Sequence, residues 1–304
     1  MKPALALAIS FAAILCAGIA PAAPPEDDPL LRPIVPDYAK RWLGHEEPVR
    51  LFGNAYLVGF AGLNVGLIRT SAGLVLIDGA VPQAVTQVEA NIRELGFSIK
   101  QVKYILSTEP HYDHSGGIAA LARDSGATVL AGATAVAALR QGGAEPDDPQ
   151  AAFLERYPAV PKLRAVRDGE TIRLGDTVIT AHATPGHTAG SMSWSWRTCE
   201  GKRCATAVFA SSLNPISADG YRFSDPANRG RVAMFRATFA KVRAMPCDLL
   251  VTAHPDQSGG VEKLAALRKG QRANPFLAPG ACRAYADKHE ALLDARLVKE
   301  LAGK

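Results

Sequence analysis

Thr108-Glu109-Pro110-His111-Tyr112-Asp113-His114-Ser115-Gly116-Gly117 places two imidazoles and two carboxylates between positions 109 and 114. Imidazole nitrogen and carboxylate oxygen are good ligands for a divalent metal, and zinc is first choice for a mixed N/O set. The preceding run, Val102-Lys103-Tyr104-Ile105-Leu106-Ser107-Thr108, reads as a buried strand. Behind the cluster, Gly116-Gly117 opens a helix-like segment, Ile118-Ala119-Ala120-Leu121-Ala122-Arg123. The metal-type residues therefore lie in a strand-to-helix loop, where a rigid scaffold aims side chains into a cleft. A solvated polar loop would not gather these four residue types at such close spacing.

Two more histidines stand out downstream. Thr184-Pro185-Gly186-His187-Thr188-Ala189-Gly190-Ser191 sets an imidazole in a Pro-Gly turn, where packing offers no reason for it. Asp248-Leu249-Leu250-Val251-Thr252-Ala253 reads as a strand that ends on His254-Pro255, so His254 is presented outward from a strand end. His182 lies nearby and reads more naturally as a hydrogen-bonded structural histidine. Asp78 closes the run Leu74-Val75-Leu76-Ile77. Two readings stay open there: a partner that orients a metal ligand, or a cap on the following turn.

Met1-Lys2 precedes an apolar, small-residue run from Ala4 to Ala20, and Ala20-Pro21-Ala22 supplies a cleavage-type sequence. Residues 1–22 thus read as a secretory signal peptide, and 23–304 as one domain with an N-terminal arm. A retained anchor fits less well, because the run is short for a bilayer span. Export to the periplasm or beyond is expected, with no membrane association after cleavage. The chain carries +5 formal charges, scattered with no basic run and no aromatic interleaving, which argues against nucleic-acid binding.

Beyond Cys16, four cysteines remain: Cys199, Cys204, Cys247 and Cys282. An even number in an exported chain points to two disulfides. Cys199 and Cys204 flank the turn Glu200-Gly201-Lys202-Arg203, so pairing there staples a hairpin and leaves Cys247 with Cys282. No Cys-x-x-Cys spacing supports a thiolate zinc site.

Strand-like runs at 55–59, 65–69 and 74–78 form a β-meander, followed by a helical period over 83–95 that Gly96 ends. Helices are expected at 134–139, 229–243, 260–270 and 286–301, and strands at 128–130, 170–182, 191–196 and 205–210. Residues 141–161 read as a long proline-rich loop carrying Phe153, Leu154 and Tyr157. A loop of that length in a compact domain is often functional. Phe153 and Tyr157 are therefore candidates for one wall of a substrate cleft, against the alternative of aromatics packing down.

The cluster at 109–114 resembles the His-x-His-x-Asp-His motif of the metallo-β-lactamase superfamily, with Glu109 in place of the first histidine. The Pro-Gly-His187 turn and His254 follow in that family's order, and the resemblance spans roughly residues 50 to 290. It implies an α/β fold, the αββα sandwich: two facing sheets with helices outside. It implies two zinc ions, the first held by Glu109, His111 and His187, the second by Asp113, His114 and His254. The strand 205–210 ends in Ser211-Ser212, with no carboxylate to bridge the metals as in glyoxalase II-like and phosphodiesterase members. Together with the histidine-aspartate second site, this resembles subclass B3 of the metallo-β-lactamases. That resemblance makes Ser212 and Asn214 contacts for the substrate carboxylate, and it matches the Cys247–Cys282 pairing.

The implied activity is hydrolysis of the β-lactam amide (penicillins, cephalosporins, carbapenems) by water activated at the zinc pair, oriented by Asp113, with antibiotic resistance as the consequence. A small-molecule substrate and a monomeric protein are expected. No Gly-x-Ser-x-Gly elbow or Ser-x-x-Lys pair supports a covalent serine route. The alternatives are another zinc hydrolase of the same fold, such as a lactonase, or a zinc-binding protein that Glu109 leaves nearly inactive. With glutamate at 109, two zinc ions, Glu109, Asp113 and a hydroxide sum to +1 rather than the +2 that histidine would leave. The centre should then be a weaker electrophile.

Overall fold

The structure, a computed structural model, describes Met1 and residues 28–303. The expected leader and the first residues of the arm lie outside the described residues. The arm becomes helical at α1 (Pro36–Trp42). A seven-stranded sheet follows: β1 (Val49–Phe52), β2 (Ala55–Leu57), β3 (Gly66–Thr70), β4 (Gly73–Ile77), β5 (Val102–Leu106), β6 (Thr128–Gly132) and β7 (Leu163–Val166), in that spatial order. The first four strands pair antiparallel, and β4 through β7 pair parallel. Parallel neighbours need crossovers, and the crossovers contain α2 (Val85–Glu94), α3 (Tyr112–Ser115), α4 (Ile118–Ser125) and α5 (Ala135–Gln141).

The second sheet is β8 (Thr171–Leu174), β9 (Thr177–Ala183), β10 (Met192–Glu200), β11 (Arg203–Ala210) and β12 (Leu249–Thr252), in the order β12-β11-β10-β9-β8. Its outer face is covered by α6 (Arg229–Ala244) and α8 (Ala281–Ala302), with α7 (Gly260–Arg268) beyond β12.

Strand alternation sorts the apolar side chains into three layers. In β4, Leu74 and Leu76 pack with Val85, Val88 and Ile92 of α2 and with Ile118 and Leu121 of α4. Val75 and Ile77 of the same strand turn the other way, toward Trp194, Phe209 and Val251 of the second sheet. Val208 and Leu250 face outward again, onto Phe235, Phe239 and Leu293 of α6 and α8. Strands buried on both faces read as unbroken apolar runs, which is why β4 and β12 are legible as strands before any pairing is known. The result is the αββα sandwich.

Some boundaries differ from the expectations. The last helix begins at Ala281 rather than 286, because Cys282 is tied to Cys247 and Tyr285 and Ala286 are buried against β11 and β12. Strands β1 and β7 are short and flank the sheet; only pairing with β2 and β6 makes them strands. Both disulfides are present, Cys199–Cys204 across the β10–β11 turn and Cys247–Cys282. Residues 143–162 hold no helix or strand. That loop starts at Gly142, whose φ of 64° ends α5 and whose hydrogen a methyl group could not replace: an added Cβ would lie 1.9 Å from Tyr157 O. No helix among the described residues is long and apolar enough to cross a membrane.

Candidate metal centre

The loop after β5 leaves the sheet between the two layers, and its start is pinned from the neighbouring strand end. Asp78, in a left-handed conformation at φ 64°, accepts the Thr108 N–H at 2.7 Å and the Thr108 hydroxyl at 2.7 Å. Its Oδ2 also lies 3.7 Å from His114 Nδ1. Asp78 thus anchors the loop backbone and faces a ring of the cluster; its carboxylate bonds Thr108 rather than capping the turn that follows it. Burial raises its pKa to about 7, against the His114 charge and the Thr108 donors.

Six side chains gather at one place: His111, Asp113, His114, His187 and His254 line a cleft, and Glu109 lies fully buried beside them. Glu109, His111, Asp113 and His114 come from the β5–α3 loop and α3; His187 comes from the turn after β9, and His254 from the end of β12. His111 and His187 meet edge-on with ring centroids 5.0 Å apart, and His114 and His254 do the same at 4.8 Å. Ligand-type atoms of Asp113, His114 and His254 all lie within 4.8 Å of one another. Asp113 Oδ2 is 3.2 Å from His254 Nε2 and 3.4 Å from His114 Nε2. Glu109 Oε1 is 2.9 Å from His114 Nε2.

Three of the four imidazoles are oriented through one ring nitrogen. His254 Nδ1 contacts Gly62 O at 3.2 Å, His187 Nδ1 contacts Asn214 O at 2.7 Å, and His111 Nε2 pairs with Asp148 Oδ2 at 2.8 Å. Holding one nitrogen against a carbonyl or carboxylate fixes the tautomer and frees the other as a ligand, as metal sites require. The His187 turn is itself braced: the Thr238 hydroxyl donates to Pro185 O at 2.6 Å, and Arg231 of α6 reaches Gly186 O at 3.4 Å. A side chain on Gly186 would strike Phe235, since an added Cβ lies 2.7 Å from its ring.

The charges reinforce one another. Burial works to lower the His114 pKa, but Asp113, Glu109 and Asp78 outweigh it and raise the group to about 10. Glu109 and Asp113, despite their burial, are held well below the usual carboxylate range by the surrounding imidazoles. His187 is lowered, chiefly by burial. The carboxylates around His114 thus favour positive charge at that side of the pocket. The N/O donor set, the anchored rings and this charge preference all fit divalent zinc.

The cleft has a volume of about 410 Å³ and is lined by Trp42, Phe153, Asn214 and Ile216 beside the cluster. Phe153 is half exposed on its wall. Tyr157 corrects the expectation: it is buried, and its hydroxyl donates to Pro110 O at 3.0 Å or Gly143 O at 3.2 Å. A phenol hydroxyl inside a core must find such acceptors, so Tyr157 secures the loop instead of lining the cleft. His182 also lies outside the cluster, its Nε2 2.7 Å from Ser195 Oγ. Ser212 lines the cleft, yet its hydroxyl is turned to Glu109 Oε1 at 2.8 Å.

Three participants escaped the sequence reading. Asp148 and Gln150 lie on the long loop, and the Gln150 amide reaches His187 Nε2 at 3.2 Å, aiming a donor at the lone pair a cation would use. The acidic, proline-punctuated run Glu145-Pro146-Asp147-Asp148-Pro149 was the available signal. Trp42, from α1, stands 6.1 Å from the His254 ring and brings the N-terminal arm to the cleft mouth.

Comparison with known proteins accords with this geometry. The sequence profile of the metallo-beta-lactamase superfamily matches residues 58–254. A solved structure described as the first B3 metallo-beta-lactamase with an active-site glutamic acid is 53% identical; the match covers 90% of this chain and 98% of that one, with a TM-score of 0.84. This chain belongs to the metallo-β-lactamase superfamily, in its B3 subclass. Rm3 metallo-beta-lactamase is 42% identical over 88% of this chain and 99% of its own, with a TM-score of 0.84. BJP-1, a subclass B3 enzyme of Bradyrhizobium japonicum, is 37% identical over 87% and 98%, with a TM-score of 0.78.

Proposed function

We propose that this protein is a zinc β-lactamase that opens the amide of penicillins, cephalosporins and carbapenems. The observation that carries the reading is the gathering of six N/O donors at one place, with three imidazoles hydrogen-bonded from behind through one ring nitrogen. Glu109, His111 and His187 would hold one zinc, and Asp113, His114 and His254 a second. Zinc bound there would supply Lewis acidity and an activated water near neutral pH.

The chain's own residues supply the rest. Asp113 is held ionised by the imidazoles around it, so a lone pair of its carboxylate can accept a hydrogen bond from an attacking water and orient it. Phe153 and Trp42 offer apolar walls to a bicyclic substrate, and the Asn214 amide offers a donor to its carboxylate. Neither of the two serines that follow β11 is free to act as a nucleophile. Ser211 is spent on Thr184 Oγ1 at 2.8 Å, and Ser212 on Glu109. A single hydrolytic step without an acyl-enzyme follows.

Residues 1–22 are read as an export leader and 23–304 as one periplasmic, monomeric domain, which confers resistance on its host. The two disulfides support an oxidising compartment. Turnover of a chromogenic cephalosporin, measured with and without a chelator beside a panel of lactones and phosphodiesters, tests the reading. Chelator-sensitive cephalosporin hydrolysis is expected. Preference for a lactone, or zinc binding without any turnover, would overturn it.

A further inference from the structure

Ser212 is placed against Glu109 with two donors. Its hydroxyl donates to Oε1 at 2.8 Å and its backbone N–H to Oε2 at 3.2 Å, so both carboxylate oxygens are held by one residue. Glu109 is fully buried and Ser212 almost so. Behind Ser212 the contacts continue inward. Gln257 Nε2 donates to Ser212 Oγ at 3.4 Å, the Tyr285 hydroxyl donates to Gln257 Oε1 at 2.8 Å, and Leu213 N–H donates to Tyr285 Oη at 3.1 Å. Gln257 and Tyr285 are themselves buried, and Tyr285 is carried by α8.

We infer that Ser212 is a positioning residue that fixes the Glu109 carboxylate in one rotamer beside His114, and that it is not a substrate-carboxylate contact in this protein. The inference rests on the reading of Glu109 as a zinc ligand. A serine hydroxyl has one proton, and here that proton goes to Glu109. Glutamate is longer than the histidine the family motif carries at this place and has more rotamers to lose on ordering. Two donors on its carboxylate remove that freedom before a cation arrives. An imidazole at 109 could not receive both donors, because a neutral ring has one acceptor nitrogen, which a zinc ion would occupy. The Ser212 pair of donors is therefore matched to a carboxylate.

The test combines Ser212→Ala and Ser212→Thr with Glu109→His and Glu109→Ala. Zinc affinity is read by competition with a chromophoric chelator, cobalt-substituted protein by its visible spectrum, and a cephalosporin by kcat and KM separately. Ser212→Ala should weaken binding of the zinc assigned to Glu109, His111 and His187 by roughly 10–100-fold, the range for loss of a group that orients a ligand. Ser212→Thr should restore it, since threonine keeps the hydroxyl. In the Glu109→His background Ser212→Ala should change zinc affinity by less than about 2-fold, because coupling vanishes when the partner is gone. Wild-type zinc affinity in Ser212→Ala with only a raised KM would overturn the inference and return Ser212 to the substrate. Equal zinc loss in both backgrounds would also overturn it, by showing a general structural role. Unchanged zinc affinity in Glu109→Ala would sink the underlying ligand reading itself, whereas zinc loss in Glu109→Ala without loss in Ser212→Ala would sink the inference alone.

Discussion

Glu145 sits in the apolar floor beneath the His187 turn. Its Oε2 accepts the Ala189 N–H at 2.6 Å, while its Oε1 is buried with no partner. Burial, aided by Asp148 and Asp147 and opposed by that backbone donor, raises its pKa from 4.5 to about 7. A carboxyl whose folded pKa lies above its unfolded value binds more protons when folded. Stability is then lost as pH rises from the unfolded value through about 7, and stays low above it. The shift corresponds to on the order of 3 kcal/mol. Glu145→Gln keeps an oxygen for Ala189 and removes the charge. Its thermal midpoint should match the parent near pH 5 and exceed it above pH 7. Parallel midpoint curves across that range would show that Glu145 titrates normally.

The element that matters most beyond the sheets is the loop between α5 and β7. Arg231 of α6 donates to Asp147 O at 2.8 Å and Asp147 Oδ2 at 2.9 Å while also reaching the His187 turn, so one buried guanidinium ties the loop to that turn. The adjacent Asp148 is thereby delivered to His111. Removing its carboxylate should cost roughly 10–100-fold in zinc affinity. Asp148→Ala should show that loss, and Asp148→Asn a smaller one, because an amide oxygen can still accept from His111 Nε2. Equal affinities for parent and both variants would reduce the contact to loop packing. The other tied element is the start of α8. Cys247, just ahead of β12, is joined to Cys282 of that helix, 35 positions along the chain. A loop of this size is worth about 3–4 kcal/mol through the unfolded state. Cys247→Ser with Cys282→Ser should lower stability to denaturant by that order, and an unchanged midpoint would mean that α8 is held by its apolar face alone.

At the scale of the whole molecule the cleft is a seam. Glu109, His111, Asp113 and His114 belong to the seven-stranded half, His187 and His254 to the five-stranded half. A cation bound across the seam binds only the folded protein, and at a hundredfold excess over its dissociation constant it adds about 2.7 kcal/mol. Dialysis against a chelator should therefore lower the melting midpoint, and added zinc should restore it. A midpoint indifferent to chelation would show that the two sheets hold the seam closed without metal.

Local chemistry was enough for much of this. The metal-type residues at 109–114, the Pro-Gly-His187 turn and the strand-ending His254 are legible because no packing pattern calls for them, and the buried strands because both their faces are apolar. The cysteine pairing followed from a short turn between Cys199 and Cys204. What only the tertiary structure decided is who stands behind whom. Asp148 lies 37 residues from His111, and Ser212 lies 103 residues from Glu109. Neither separation leaves a periodic trace in the chain. Tyr157 was assigned to the substrate cleft from its place in the long loop and Ser212 from the resemblance to subclass B3, yet each carries a hydroxyl whose direction depends on which acceptor the fold places within reach. Tyr157 meets Pro110 O and Gly143 O, and Ser212 meets Glu109. A hydroxyl's partner is set by geometry after folding, whereas a strand's apolar faces are written residue by residue.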